Sequence, residues 1–144
     1  MSTEKTIFAQ LLSFIPRHEF DKCVARYNGD YRVRSFTCWE QFIVMCFAQL
    51  TYRESLRDIE TCLHTMQSKL YHVGLRSKIA RSTIADANES RDWHIFADFC
   101  HYLIQWAETL YQDNESFKLD LKNAVYAVDS TTIDLCLSLF PWAK

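Results

Sequence analysis

Two stretches of this 144-residue chain bring together side chains that could do chemistry. In Gly74-Leu-Arg-Ser-Lys-Ile-Ala-Arg-Ser-Thr-Ile84, Arg76, Lys78 and Arg81 follow a glycine, with no acid before Asp86. Cations this close together, flanked by the hydroxyls of Ser82 and Thr83, suit contacts to phosphate oxygens. Thr83, Asn88 and Arg91 carry groups that fit base edges, since Asn pairs with adenine and Arg with guanine. The plainer reading of the same residues is a solvated turn between two core helices. The second stretch is Ala124-Val-Tyr-Ala-Val128, followed by Asp129-Ser-Thr-Thr-Ile-Asp134. An apolar, β-rich run ending in Asp sets a carboxylate at the carboxyl end of a strand, where open mixed sheets bind ligands. Mg²⁺ takes one or two carboxylates and leaves room for phosphate oxygens and water, so Asp129 is a candidate metal ligand. The alternative is an Asp that caps a turn after an ordinary strand.

Other reactive types do not converge. His64 and His72 are eight residues apart, and the adjacent Cys100 and His101 point to different helix faces, so no zinc spacing emerges. Six cysteines (Cys23, Cys38, Cys46, Cys62, Cys100 and Cys136) occur without a C-x-x-C pair, mostly among apolar neighbours. They read as reduced core residues of a cytosolic protein.

Helices must position these groups. A helix that stops at Val73-Gly74, a basic turn, and a second helix over about 83–91 capped by Ser82 or Thr83 have the layout of a helix-turn-helix, whose second helix offers its N-terminal residues to the major groove. Upstream, Ile7, Phe8, Leu11, Leu12 and Ile15 mark an amphipathic helix over about 5–15, halted by Pro16. A second helix over about 18–27 turns Phe20, Cys23, Val24 and Tyr27 inward and stops at Asn28-Gly29-Asp30. Tyr31-Arg-Val-Arg-Ser-Phe36 alternates but has no obvious partner strand, and reads as an extended linker. Thr37-Cys-Trp-Glu40 is a capping box opening a helix over about 38–50, apolar nearly all round and therefore central. Ser55-Leu-Arg-Asp58 is a similar cap, followed by one helix or a helix pair with Leu56, Ile59, Leu63, Met66 and Leu70 at spacings of three and four. Its other face carries Arg57, Asp58, Glu60 and Lys69. A long helix over about 92–112 presents Trp93, Phe96, Cys100, Leu103, Ile104 and Leu110 as core.

Composition agrees with this architecture. With 49% hydrophobic and 24% charged residues, the chain is globular, and two glycines and two prolines are too few for many tight strand turns. The longest apolar run, Phe42–Ala48, is far too short for a bilayer span, and the opening Met-Ser-Thr-Glu-Lys has no signal-peptide pattern. Net charge is −2, but residues 1–91 carry +3 and residues 92–144 carry −5. A polyanion-binding surface is therefore expected in the first two thirds.

Several segments together resemble the N-terminal part of a bacterial DDE-type insertion-sequence transposase of the insertion sequence 4 family. They are Phe47-Ala-Gln-Leu50, Ser55-Leu-Arg-Asp-Ile59, Lys69-Leu-Tyr-His-Val-Gly74, Arg81-Ser-Thr-Ile-Ala-Asp-Ala-Asn88 with Arg91-Asp-Trp93, and Val128-Asp-Ser-Thr-Thr-Ile133 with Phe140-Pro-Trp-Ala143. The resemblance spans about residues 7–143 and rests on the order and spacing of the segments. It implies a helical DNA-binding domain, then a ribonuclease H-like α/β domain whose Asp, Asp and Glu hold two Mg²⁺ or Mn²⁺ ions for phosphodiester hydrolysis and strand transfer. The family's first catalytic Asp falls on Asp129, while Asp134 is too near in sequence to be the second.

The expected fold is thus mainly α: a helical DNA-binding domain over 1–112, a linker over 113–123, and the first one or two strands of an incomplete ribonuclease H-like domain over 124–144. Because the second Asp and the Glu do not occur before Lys144, the chain by itself is expected to be inactive and not to hold the metal stably, with residues 119–144 poorly anchored. The expected partner is double-stranded DNA at insertion-sequence ends, with a homodimer as a further option, no membrane, and a bacterial cytoplasmic location. Two other functions remain open: a stand-alone DNA-binding inhibitor of transposition, and a helical dimerisation module that uses exposed aromatics such as Trp39 and Trp93.

Overall fold

A computed structural model describes residues 6–75 and 77–112, with side chains to Leu110. The expected strands and Asp129 lie outside these residues, as do Arg76, Cys136 and the whole of 119–144. Within the described residues all regular secondary structure is helical: α1 (Ile7–Ser13), α2 (Arg17–Arg26), α3 (Cys38–Leu50), α4 (Leu56–Thr65), α5 (Gln67–Leu70), a 3₁₀ turn (Tyr71–Val73), α6 (Arg81–Ser90) and α7 (His94–Gln112). The chain divides into two units, Met1–Thr109 and Leu110–Lys144, and the architecture below is that of the first.

The all-apolar helix is central, as its pattern requires. The Thr37 hydroxyl accepts from the Glu40 amide at 3.3 Å while the Glu40 carboxylate accepts from the Thr37 amide at 2.7 Å, closing the predicted capping box. From this start α3 feeds two cores. Ile43, Val44, Phe47 and Ala48 join Ile59, Leu63, Leu70, Leu75, Ile79, Ile84 and Ala87 in one. Cys38 joins Phe20, Cys23, Val24, Ile95 and Phe99 in the other, with Trp39 and Phe42 packed against it. In this second core the Phe20 ring lies 5.1–6.0 Å from those of Trp39, Phe42, Phe96 and Phe99, contacts of about 0.5–1.5 kcal/mol each beyond simple burial.

Three helical segments end alike. The Gly29 amide donates back to Val24 carbonyl, Arg53 to Ala48 and Leu75 to Leu70, and in each the preceding residue is left-handed: Asn28 (φ 51), Tyr52 (φ 55) and Gly74 (φ 102). These are Schellman ends. At the first, Asn28 takes the special conformation and Gly29 supplies space, since a β-carbon there would lie 2.4 Å from Ile95 Cδ1 and 2.8 Å from Cys38 Sγ.

Some expectations need correction. Residues 31–36 are not an extended linker. Tyr31 and Val33 amides donate to Asn28 and Asp30 carbonyls, Arg32 and Phe36 have positive φ, and Asp30 Oδ1 reaches over to accept from the Cys38 amide at 2.7 Å, drawing the segment into turns. The helix after Ser55 is broken at Met66 into α4, α5 and the 3₁₀ turn, resolving the choice in favour of separate helices. Ser55 caps Asp58 at 3.2 Å, but the Asp58 carboxylate faces Arg53 at 3.4 Å. On α7, Ile95, Phe96, Phe99, Tyr102 and Leu103 reach the second core, while Cys100, Ile104 and Leu110, like Trp93 just before the helix, are exposed. At 1.5 Å per residue, nineteen-residue α7 outruns the ten-residue α2 beside it.

Candidate nucleic-acid interface

The segment between Gly74 and α6 alternates between anchoring and display. Leu75 and Ile79 plug into the first core, and Ser77, Lys78 and Ala80 are left outside. Neither Ser82 nor Thr83 caps α6, contrary to expectation: the cap residue is Ala80, and the first amide, that of Arg81, donates to Glu60 Oε1 of α4 at 3.1 Å. Glu60 thus does from a neighbouring helix what a local hydroxyl would otherwise do, and its charge suits the positive end of the α6 dipole. This contact also fixes what lies beside the turn. Arg57 is one helical turn before Glu60 on α4, His64 is one turn after it, and His64 and Lys78 border the same small hollow. Arg57, His64, Lys78 and Arg81 therefore share the α4–α6 side of the domain. Among the described residues no ion pair engages Arg57, Lys78 or Arg81.

Along α6, Arg81 and Ser82 are exposed, Thr83 is half-buried, and Ile84 and Ala87 are core. The outward residues of the later turns are Asp86, Asn88, Glu89 and Ser90, so positive charge is confined to the N-terminal end. The remaining two expected contact residues have inward partners. Gln41 of α3, only 4% exposed, donates from Nε2 to Asn88 Oδ1 at 2.6 Å. Its Oε1 accepts from Arg91 Nη1 at 2.8 Å. The same Nη1 donates to the Thr37 carbonyl at 3.1 Å, Nη2 donates to the Phe36 carbonyl, and the guanidinium lies 5.5 Å from the Phe36 ring centroid. Asn88 and Arg91 thereby tie the C-terminal end of α6 to the start of α3. Arg91 acts as a clamp.

Gln41 and Glu60, the partners of these groups, are not among the residues expected from the sequence. Gln41 did carry a signal, because it shares a helix face with Cys38, Val44 and Ala48, all buried. Glu60 carried none, its role depending on where α6 begins in space.

Residues 3–76 match a family model described as a domain of unknown function, DUF4372. The chain belongs to the DUF4372 family. The DUF4372 stretch runs through α1 to the 3₁₀ turn and includes Arg57, Glu60 and His64, whereas Lys78, α6 and α7 follow it. No curated protein and no solved structure matches the chain.

Other chemistries find less support in the geometry. Among the described residues no group of three His, Cys, Asp or Glu side chains could hold a metal ion, and no helix is long and apolar enough to cross a membrane. Cys23, Cys38, Cys46, Cys62 and Cys100 are free thiols. Burial pushes Cys38 up to about 12, helped by its hydrogen bond with Asp30, and Cys46 up to about 11, so neither is a nucleophile near neutrality.

Proposed function

We propose that this chain is the helical, DNA-binding N-terminal part of a DDE-type transposase and binds duplex DNA at the ends of its element. The observation that carries this reading is the grouping of Arg57, Lys78 and Arg81, none ion-paired among the described residues, around a turn beside which Glu60 of α4 accepts from the Arg81 amide. Lys78 and Arg81, with Arg76, serve as phosphate contacts, and Ser82 and Thr83 add neutral ones at the helix-turn-helix-like corner. Thr83 and Asn88 are the residues assigned to base edges, Asn88 being exposed although its Oδ1 accepts from Gln41. Arg91 is omitted from base readout, because its guanidinium bonds run to Phe36, Thr37 and Gln41. In the same reading Asp129 is the first carboxylate of the family's Mg²⁺ or Mn²⁺ site, and double-strand binding by the helical unit is independent of it.

Fluorescence anisotropy with a duplex carrying the terminal repeats that flank the coding sequence, and with a scrambled duplex, tests the proposal. Binding should weaken steeply between about 50 and 200 mM salt. Lys78→Ala and Arg81→Ala should each lower the log–log salt slope by about one on both duplexes, and Asn88→Ala should reduce the preference between them. Absence of salt-dependent binding to either duplex would sink the reading.

A second reading draws on Trp93, 67% exposed, which borders a groove of about 460 Å³ with Phe42, Met45 and Phe96. Such a surface suits helical self-association. Trp39, the other aromatic of that reading, is half-buried, lying edge-on to Phe20 and beneath the Arg17 guanidinium.

A further inference from the structure

We infer that the turn over residues 30–36 is a second nucleic-acid contact, in which Arg32 and Arg34 bind phosphates while α6 binds the same duplex across a shared cleft. This rests on the DNA-binding reading above and extends it to a part of the fold that reading does not use.

The alternation Tyr31-Arg-Val-Arg-Ser35 is kept although the segment is not a strand. Tyr31, Val33, Ser35 and Phe36 line a cleft of about 580 Å³ whose other wall includes Thr83, Asp86 and Ser90 of α6. Arg32 and Arg34 do not line it and are exposed. Tyr31, 70% exposed, stands at the mouth, and the Arg32 guanidinium lies over its ring at 5.1 Å, which brings that cation to the rim. Among the described residues neither arginine has an ion pair, and the nearest acid in sequence, Asp30, is engaged with the Cys38 amide. Two exposed cations without an ion pair among the described residues suit contacts to the phosphates of a duplex. Asp86 and Asp92, both exposed, also line the cleft and disfavour phosphates beside them, and Asp92 lies 2.6 Å from His94. A sugar–phosphate backbone is therefore directed along the rim, beside Arg32, with the exposed Arg34 two residues on.

The turn is also built to hold its position. Arg32 (φ 58) and Phe36 (φ 59) occupy left-handed backbone that bulky residues seldom adopt. The Phe36 end is fixed from the residue that ends α6, through the Arg91 bonds to the Phe36 and Thr37 carbonyls. Turn and α6 are thus held together as one clamped unit.

The experiment is a salt series on the full chain with the duplexes above, comparing wild type, Arg81→Ala, the pair Arg32→Asn and Arg34→Gln, and the charge-matched control pair Arg17→Gln and Lys22→Gln on α2. Asn is chosen at 32 because it tolerates the left-handed region. The Arg32/Arg34 pair should lower affinity about tenfold near 100 mM salt and the slope by about two, with an unchanged melting temperature, while the α2 pair leaves the slope unaltered. If Arg81→Ala weakens binding and the Arg32/Arg34 pair does not, this inference fails alone. Equal losses in both pairs would trace the effect to net charge and overturn it. If wild type does not bind, the DNA-binding reading fails as well.

Discussion

Arg91 shows how a side chain that looks suited to recognition can instead be structural. Its planar guanidinium reaches Gln41, Thr37 and Phe36 together, a geometry that Lys, with a compact point charge, cannot reproduce. Removing it leaves the Gln41 amide oxygen, in a nearly fully buried residue, without that donor, and an unmet buried polar group costs about 1–3 kcal/mol. Arg91→Ala should therefore lower unfolding stability in urea by about that amount, and Arg91→Lys should recover little of it. Wild-type stability in the alanine variant would show that the clamp is dispensable. At this scale the sequence was legible where chemistry is local, as with Thr37 and Glu40, and illegible where a partner comes from 50 residues away, as Gln41 does for Arg91.

At the scale of elements, the helix starts written as Thr or Ser followed by an acid were readable, and the stops were less so. Asn28-Gly29 and Gly74 announce helix ends by residue type, but Tyr52 performs the same function with none of the usual chemistry. Its side chain is 90% exposed, so it gains almost nothing from packing there, while its φ of 55° sets the β-carbon against its own backbone. Tyr52→Gly should accordingly raise stability by about 0.5–1 kcal/mol, the relief of strain exceeding the added freedom of the unfolded glycine. Equilibrium denaturation measures this, and a loss of stability would mean that Tyr52 has a packing role. The α6 cap teaches the same lesson: Ser82 and Thr83 were reasonable local candidates, yet a carboxylate from α4 took the position and moved the helix start to Arg81.

Over the whole helical unit, stability should depend on pH through carboxylates with hydrogen-bonded partners, of which Asp98 joins distant helices. Asp98 of α7 is held below the usual carboxylate range by the Tyr27 hydroxyl at 2.9 Å, and further by Arg26 at 2.5 Å, both contributed by α2 and the residue that ends it. Asp92 and Glu19 shift in the same direction, mainly through His94 and Lys22. A carboxyl whose folded pKa lies below its unfolded value stabilises the fold above about pH 4, and that contribution disappears as pH falls through the folded value. The melting temperature should thus drop on acidification below about pH 4, and Asp98→Asn should melt lower at neutral pH with a shallower acid limb. An acid limb identical to that of wild type would remove Asp98 from the account. By itself the sequence determined the helical class, the central place of α3 and the neighbourhood of the basic turn, because periodicity, capping and glycine placement act within a few residues. Only the tertiary structure decided that Arg57 and His64 stand beside Lys78 and Arg81, that Arg91 faces inward, and that the turn after α2 shares a cleft with α6. Those relations join residues far apart in the chain, and they arise from how α4 and α6 pack around α3, which no local pattern specifies.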